Sequence, residues 1–325
     1  MATTATPSPP RRWVVSHSQL AVAMASLLFI VLSQVRGLHL FNGDDTDGFF
    51  SQIKYVSILL ATGKLNILAE PVLGVHFLRF AIVSPWYFSW LQGMPSWFEA
   101  VLMAPVLLTV ATARFHGRIH LIQLVVFLLP FALSYRTVLV IVGIANLYIY
   151  LFSDNRRGWQ FYVSAAMSFL SSGVALAWFM IVLMNLQAVK KMRIGLYMSL
   201  ALGFAGLVAA VKNKLGFFGS GTADYAKGTG LSAALERNTI LVSYMVNDKM
   251  RFFLYIGILA LVVWFLVALN SLGRPARPLM WFFSAAAVAF LFEGLGAIAF
   301  LMPVLWCLAG CAVLPETGPA EPEPA

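Results

Sequence analysis

Apolar runs recur along this chain that are too long, and too rarely interrupted by charge, to be folded away inside a water-facing globule. Of its 325 residues 60% are hydrophobic and 11% charged, against roughly 25% charged in an ordinary soluble domain. That much apolar surface needs an apolar solvent. The runs are continuous, whereas barrel strands would alternate over segments of about ten residues. The expected fold is therefore all-α, a polytopic integral membrane protein with about 8–10 transmembrane or re-entrant helices and two large external loops. Soluble enzymes, disordered scaffolds and nucleic-acid binders are set aside. The formal net charge of +9 reads as topology and contact with anionic headgroups.

Arg11 and Arg12 close a Pro/Ser/Thr-rich tail, residues 1–12, and keep the N-terminus cytoplasmic. One membrane domain is expected over 13–314, starting with a retained span at about 13–35, followed by an external stretch from 36 to 96. In that stretch Phe49, Ile53, Val56 and Leu60 share a helical face while Ser51 and Lys54 lie off it. This pattern predicts a helix lying in the interface plane. The aromatic cluster Pro85-Trp86-Tyr87-Phe88, with Trp90 and Trp97, predicts a belt at the outer leaflet.

Spans are expected at about 97–113, 119–135 and 138–152, with Arg136 at the outer tip between the last two. The segment 161–186 reads as a hairpin broken at Ser171-Ser172-Gly173, because going in and back keeps Lys190, Lys191 and Arg193 inside. Two half-helices of about a dozen residues cannot each span, so a re-entrant pair beside a polar cavity follows. Spans at 194–211, 252–269 and 279–314 flank a second external loop at 212–250, before an acidic, Pro-rich tail at 315–325. Cys307 and Cys311, one turn apart in the last apolar segment, read as packing residues.

The two external loops hold the residues suited to chemistry. Asp44, Asp45 and Asp47 follow the first span and can supply a general base, bind a divalent cation through oxygen, or cap the helix beginning near Gly48. Arg136 either binds a lipid-linked phosphate or snorkels to outer headgroups. The second loop carries Lys212, Tyr225, Lys227 and Arg237 among glycines, a composition able to wrap a phosphate or sugar or simply to be mobile. His76 and Arg79, one turn apart, are placed to line the same external cavity, a structural role being the alternative for the histidine. Glu293 is an intramembrane carboxylate, a functional candidate for which pairing with an arginine or capping a helix break at Gly294 is an equal reading. No metal-ligand spacing, nucleotide-binding loop or Ser/His/Asp order is seen.

Three features of the sequence resemble the EpsG/Wzy-like polysaccharide polymerases, and more broadly the GT-C glycosyltransferases. They are the Gly43-Asp44-Asp45-Thr46-Asp47-Gly48-Phe49-Phe50 run, the arginine-headed helix Tyr135-Arg136-Thr137 to Phe152 with Asn155-Arg156-Arg157 after it, and the break at Ser171-Ser172-Gly173. A histidine is common at that break in the family, and here serines stand there. The resemblance covers residues 36–190. It implies glycosyl transfer on the external (periplasmic) face of a bacterial inner membrane, from a polyprenyl-diphosphate-linked oligosaccharide to another lipid-linked glycan. Arg136 with Lys227 or Arg237 would answer the diphosphate, Asp44, Asp45 or Asp47 the attacking hydroxyl, and Tyr55, Trp86 and Tyr225 would stack on sugar faces. The implied partners are that lipid-linked glycan, membrane lipids, and a chain-length regulator or flippase. No soluble cofactor is implied, and a metal takes part only if Asp44, Asp45 and Asp47 bind a divalent cation. A lipid-sugar transporter and a non-catalytic subunit of a synthesis complex are the rival readings.

On this topology a cysteine placed at Gly195 resists membrane-impermeant labelling from outside. Strong outside labelling would move the second loop to the cytoplasm.

Overall fold

The acidic run leads straight into a helix, α1 (Thr46–Ala61), as Asp and Thr favour at a helix start. The computed structural model describes residues 46–95, 97–99, 101–103, 135–152 and 157–185, with single residues and short runs within 20–31, 197–212, 253–260 and 281–303. The apolar face of α1 buries Phe49, Ile53 and Val56, while Lys54 and Ser51 stay exposed. Leu60, expected on that face, is 40% exposed because the helix stops one residue later. The stop is a glycine-closed turn. Gly63 takes φ +65°, Gly63 N–H donates to Leu60 O and Lys64 N–H to Leu59 O at 2.9 Å.

Helix α2 (Pro71–Leu91) starts on a proline, whose missing N–H costs nothing in the first turn. A second proline, Pro85, removes an internal donor, and the Ser84 hydroxyl donates to the Ala81 carbonyl at 3.0 Å instead. Gly93, again at φ +65°, closes this helix as Gly63 closes α1, with Met94 N–H donating to Ser89 O. The expected belt is only partly outward. Trp86 and Tyr87 are buried, because α2 continues through Pro85 and turns them inward, where Trp86 Nε1 donates to Glu99 O at 3.2 Å. Phe88 and Trp97 are exposed.

Helix α3 (Tyr135–Phe152) is buried all round from Thr137 to Ile149. Its mostly apolar sequence fits that position, and the one buried amide, Asn146, donates back to Val142 O at 2.9 Å. Helix α4 (Gly158–Ser168) runs back along it, with Phe161 against Tyr150 at 5.3 Å between ring centroids. Midway the two backbones come close, and a Cβ on Gly143 would collide with Cβ of Met167. Tyr148 and Phe152 meet Phe282 edge-to-face, and Phe282 in turn meets Phe300 the same way.

The chain then breaks and folds back as α5 (Ser172–Met184). Trp178 Nε1 donates to Ser164 Oγ at 3.0 Å across 14 residues, and its ring lies 5.2 Å from that of Phe161. In one straight helix residues so separated would stand about 21 Å apart, so the two helices form a hairpin. Its arms measure about 16 and 20 Å, both short of the roughly 30 Å hydrocarbon core.

Among the described residues the protein is all-helical, with no strand. Among them, too, no helix is long and apolar enough to cross a membrane. Of the expected spans, 138–152 falls within α3, while those at 13–35, 97–113, 119–135, 194–211, 252–269 and 279–314 lie largely or wholly outside the described residues. So do the two tails, Glu293, Cys307 and Cys311.

Gly143→Ala is expected to destabilise the fold by about 1–3 kcal/mol through overpacking. Thermal melting of the purified protein checks this, and Met167→Gly, by removing the colliding Cβ, should recover part of the loss.

Candidate functional site

The break between α4 and α5 organises the surroundings. The last amides of α4 tighten to three-residue spacing: Phe169 N–H donates to Ala166 O, Leu170 N–H to Met167 O and Ser171 N–H to Ser168 O. Ser171 is extended (φ −135°, ψ 127°) and caps α5, its Oγ accepting from Val174 N–H. The carbonyls of Phe169 and Leu170 then take partners from other helices, and both partners are arginines.

Arg79, on α2, is 6% exposed. Its Nε donates to Phe169 O at 2.8 Å, Nη1 to Gln52 Oε1 at 2.6 Å and Nη2 to Ser172 Oγ at 3.3 Å. Arg136, in the first turn of α3, reaches Leu170 O with Nε at 3.1 Å and Nη2 at 2.9 Å. Its guanidinium carbon sits 4.5 Å above the Phe49 ring, a cation–π contact. Two cations from separate helices therefore meet adjacent carbonyls of one turn, and α1 braces both. The positive end of α5 opens at the same place.

Arg136 is half-buried, held between the α4–α5 break and the Phe49 ring. Arg79 is buried against the break and Gln52. Beside it, His76 has a buried Nδ1 without a hydrogen-bond partner. Burial, and after it the charge of Arg79, push this imidazole from its ordinary 6.5 down to about 4. It is neutral at pH 7.

Of the other expected residues, Tyr55 is exposed on α1 and Lys212 is exposed. Trp86 is buried with its indole N–H engaged, which removes it as a sugar platform. Asp47 belongs to the first turn of α1, two residues before Phe49, and its side chain lies outside the description. Asp44, Asp45, Tyr225, Lys227 and Arg237 lie outside the described residues. Among the described residues no cluster of His, Cys, Asp or Glu is placed to hold a metal.

Sequence reasoning missed Gln52, the two carbonyls and Ser172 as an arginine partner. Gln52 gave a faint signal, being a polar residue one turn after Phe49 and beside the buried face. It also missed Glu99, fully buried within an expected apolar span. Comparison with protein-family models, curated proteins and solved structures finds no match for this chain.

The histidine gives a pH dependence. Between about pH 4 and 6.5 unfolded His76 binds a proton that the folded form refuses, so stability rises with pH across that window and is flat above it. Melting temperature should fall as pH drops from about 6.5 towards 4, and His76→Gln should lessen that fall.

Proposed function

We propose that this chain is a multi-pass protein of a bacterial inner membrane, with its N-terminus cytoplasmic, that polymerises polyprenyl-diphosphate-linked oligosaccharide repeat units on the external face. The observation that carries the reading is the convergence of Arg79 and Arg136 on one helix break, directly behind the helix that the acidic run opens. The two guanidiniums bond the carbonyls of adjacent residues, and a diphosphate offers two linked phosphates for two cations to meet. Phosphate oxygens bind guanidinium through charge-assisted, often bidentate bonds, stronger than those of neutral carbonyls.

In the proposed step a sugar hydroxyl oxygen of the acceptor forms a bond to the anomeric carbon of the donor. The bond from that carbon to the diphosphate oxygen breaks and the electron pair leaves with the lipid diphosphate. The hydroxyl proton passes to a carboxylate of Asp44, Asp45 or Asp47. Arg136 and Arg79 stabilise the departing charge. Lys227, Arg237 and Lys212 add positive charge from the second loop, while Tyr55 and Tyr225 offer ring faces to sugars. His76, held neutral beside Arg79, leaves the positive charge there to the arginine. The acidic run is also where a divalent cation would sit. A chain-length regulator or flippase is the proposed protein partner.

The same bonds favour a second reading in which both arginines are structural caps of the break. Each hydrogen bond to a charged donor contributes about 1.5–3 kcal/mol, enough to give them that task alone.

Glycan length separates the two in cells deleted for the chain and complemented at matched membrane expression. Asp45→Asn, Asp47→Asn and Arg136→Lys should collapse the polymer ladder to single repeat units while melting within a few degrees of wild type. A ladder that survives all three sinks the polymerase reading at these residues. A ladder lost only in step with lost folding supports the capping reading.

A further inference from the structure

We infer that the loop joining α1 to α2, residues 62–70, is a lipid anchor. It seats Leu68 among acyl chains with Lys54 and Lys64 at anionic headgroup phosphates, and the inference rests on the membrane location proposed above. Gln52 and Arg79, which bond each other, lie at nearly equal distances along the chain from this loop. The two helices therefore run antiparallel, and the loop is the tip of their hairpin. Hydrogen bonds hold the tip in one shape. Thr62 Oγ1 donates to Ile58 O at 2.9 Å, Ala69 N–H to Asn66 Oδ1 at 3.1 Å and Glu70 N–H to Asn66 O at 3.2 Å. Ile67 lies down on α2, where a Cβ on Gly74 would stand 3.0 Å from its Cγ2. The next side chain, Leu68, is left outward. It is 86% exposed, more than any other large apolar side chain among the described residues.

A single exposed leucine is ordinary in any protein. Here its company is of the same kind, since Tyr55, Ile58 and Leu60 in the second half of α1 are exposed as well. Lys54 and Lys64 are exposed among them along the chain. Lysine is depleted where proteins bury surface against one another. Its aliphatic stem and charged head suit the boundary of a bilayer, with the stem in hydrocarbon and the ammonium at phosphate. Tyrosine belongs at the same depth. Glu70, the loop's one carboxylate, stands just ahead of α2 and complements the start of that helix. The spacing of Phe49, Ile53 and Val56 predicts an interfacial helix, but those residues are buried against protein. Lipid contact therefore falls to the opposite face of α1 and to the loop. Anchored there, the hairpin lies along the leaflet. It fixes the height of α1 against the headgroups, and with it the Phe49 ring under Arg136.

The test places a nitroxide at Leu68→Cys in the full chain carrying Cys307→Ala and Cys311→Ala. The chain is held in nanodiscs of phosphatidylcholine with phosphatidylglycerol. Accessibility to oxygen should exceed accessibility to a water-soluble nickel complex and place the label about 5–10 Å below the phosphates. In Lys54→Gln/Lys64→Gln, or in phosphatidylcholine alone, the label should move outward, and an unchanged depth would overturn the role given to the lysines. Nickel accessibility above that of oxygen would put the tip in water and overturn the anchor. Exclusion of both probes would mean that protein covers Leu68, a second copy or another part of this chain, and would overturn it too. If the alanine background melts as an unfolded chain, p-benzoylphenylalanine at position 68 of the chain with its native cysteines replaces the label. Photocrosslinking to lipid supports the anchor and crosslinking to protein overturns it. A folded chain that stays out of the nanodiscs would overturn the membrane location itself, and this inference with it.

Discussion

The structure depends on a break in hydrogen bonding. Where α4 stops and α5 begins, the chain turns back within a buried region, and Phe169, Leu170, Ser171 and Ser172 are each no more than 6% exposed. Backbone carbonyls placed there must find donors, since an unmatched buried polar group costs about 1–3 kcal/mol. Water is largely excluded and the local amides are already used, so the donors come from elsewhere in the chain. Arg79 travels 90 residues in sequence to reach Phe169 O, and Arg136 travels 34 to reach Leu170 O. Those two side chains tie α2 and α3 to the hairpin at adjacent residues, and α1 contacts both through Gln52 and Phe49.

Meeting carbonyls with guanidiniums rather than with neutral donors has an electrostatic consequence. An amide or hydroxyl would satisfy the same oxygens and leave the region uncharged. Arginines satisfy them with charged donors at a turn where the α5 dipole is also positive. His76 shares in this arrangement. Its neutral ring lies beside Arg79 because burial and the guanidinium both resist a second positive charge.

What the sequence made legible is what repeats or interrupts along one helix. The buried face of α1 was readable from the spacing of Phe49, Ile53 and Val56, and the start of α3 from Tyr135-Arg136-Thr137 ahead of an apolar run. The break was readable within a few residues, since Ser-Ser-Gly opens α5 where it was expected to interrupt the helix pair. Partnership across helices was not readable. A backbone carbonyl carries no residue identity, so nothing in the letters of Phe169 or Leu170 marks them as the acceptors of Arg79 and Arg136. Gln52 is one polar side chain among several on α1, and only its place against α2 gives it a role. The aromatic belt misled for a related reason: Trp86 and Phe88 are two positions apart in one helix and therefore face different ways.

The hairpin and the apolar composition fit one another on a stricter condition than hydrophobicity. If the chain lies in a bilayer, as proposed, arms of about 16 and 20 Å place the non-helical turn at membrane depth. Irregular backbone is tolerated there only when protein buries it or it lines a polar cavity. The turn between α4 and α5 meets the first alternative, with its side chains buried and both its carbonyls bonded. Within the hairpin the same need is met on a smaller scale. Ser168 donates to Ser164 O, Ser164 donates to Phe161 O, and Ser164 Oγ accepts from Trp178. Ser164 and Ser168 are thus matched locally, while the turn draws on charged side chains from outside the hairpin.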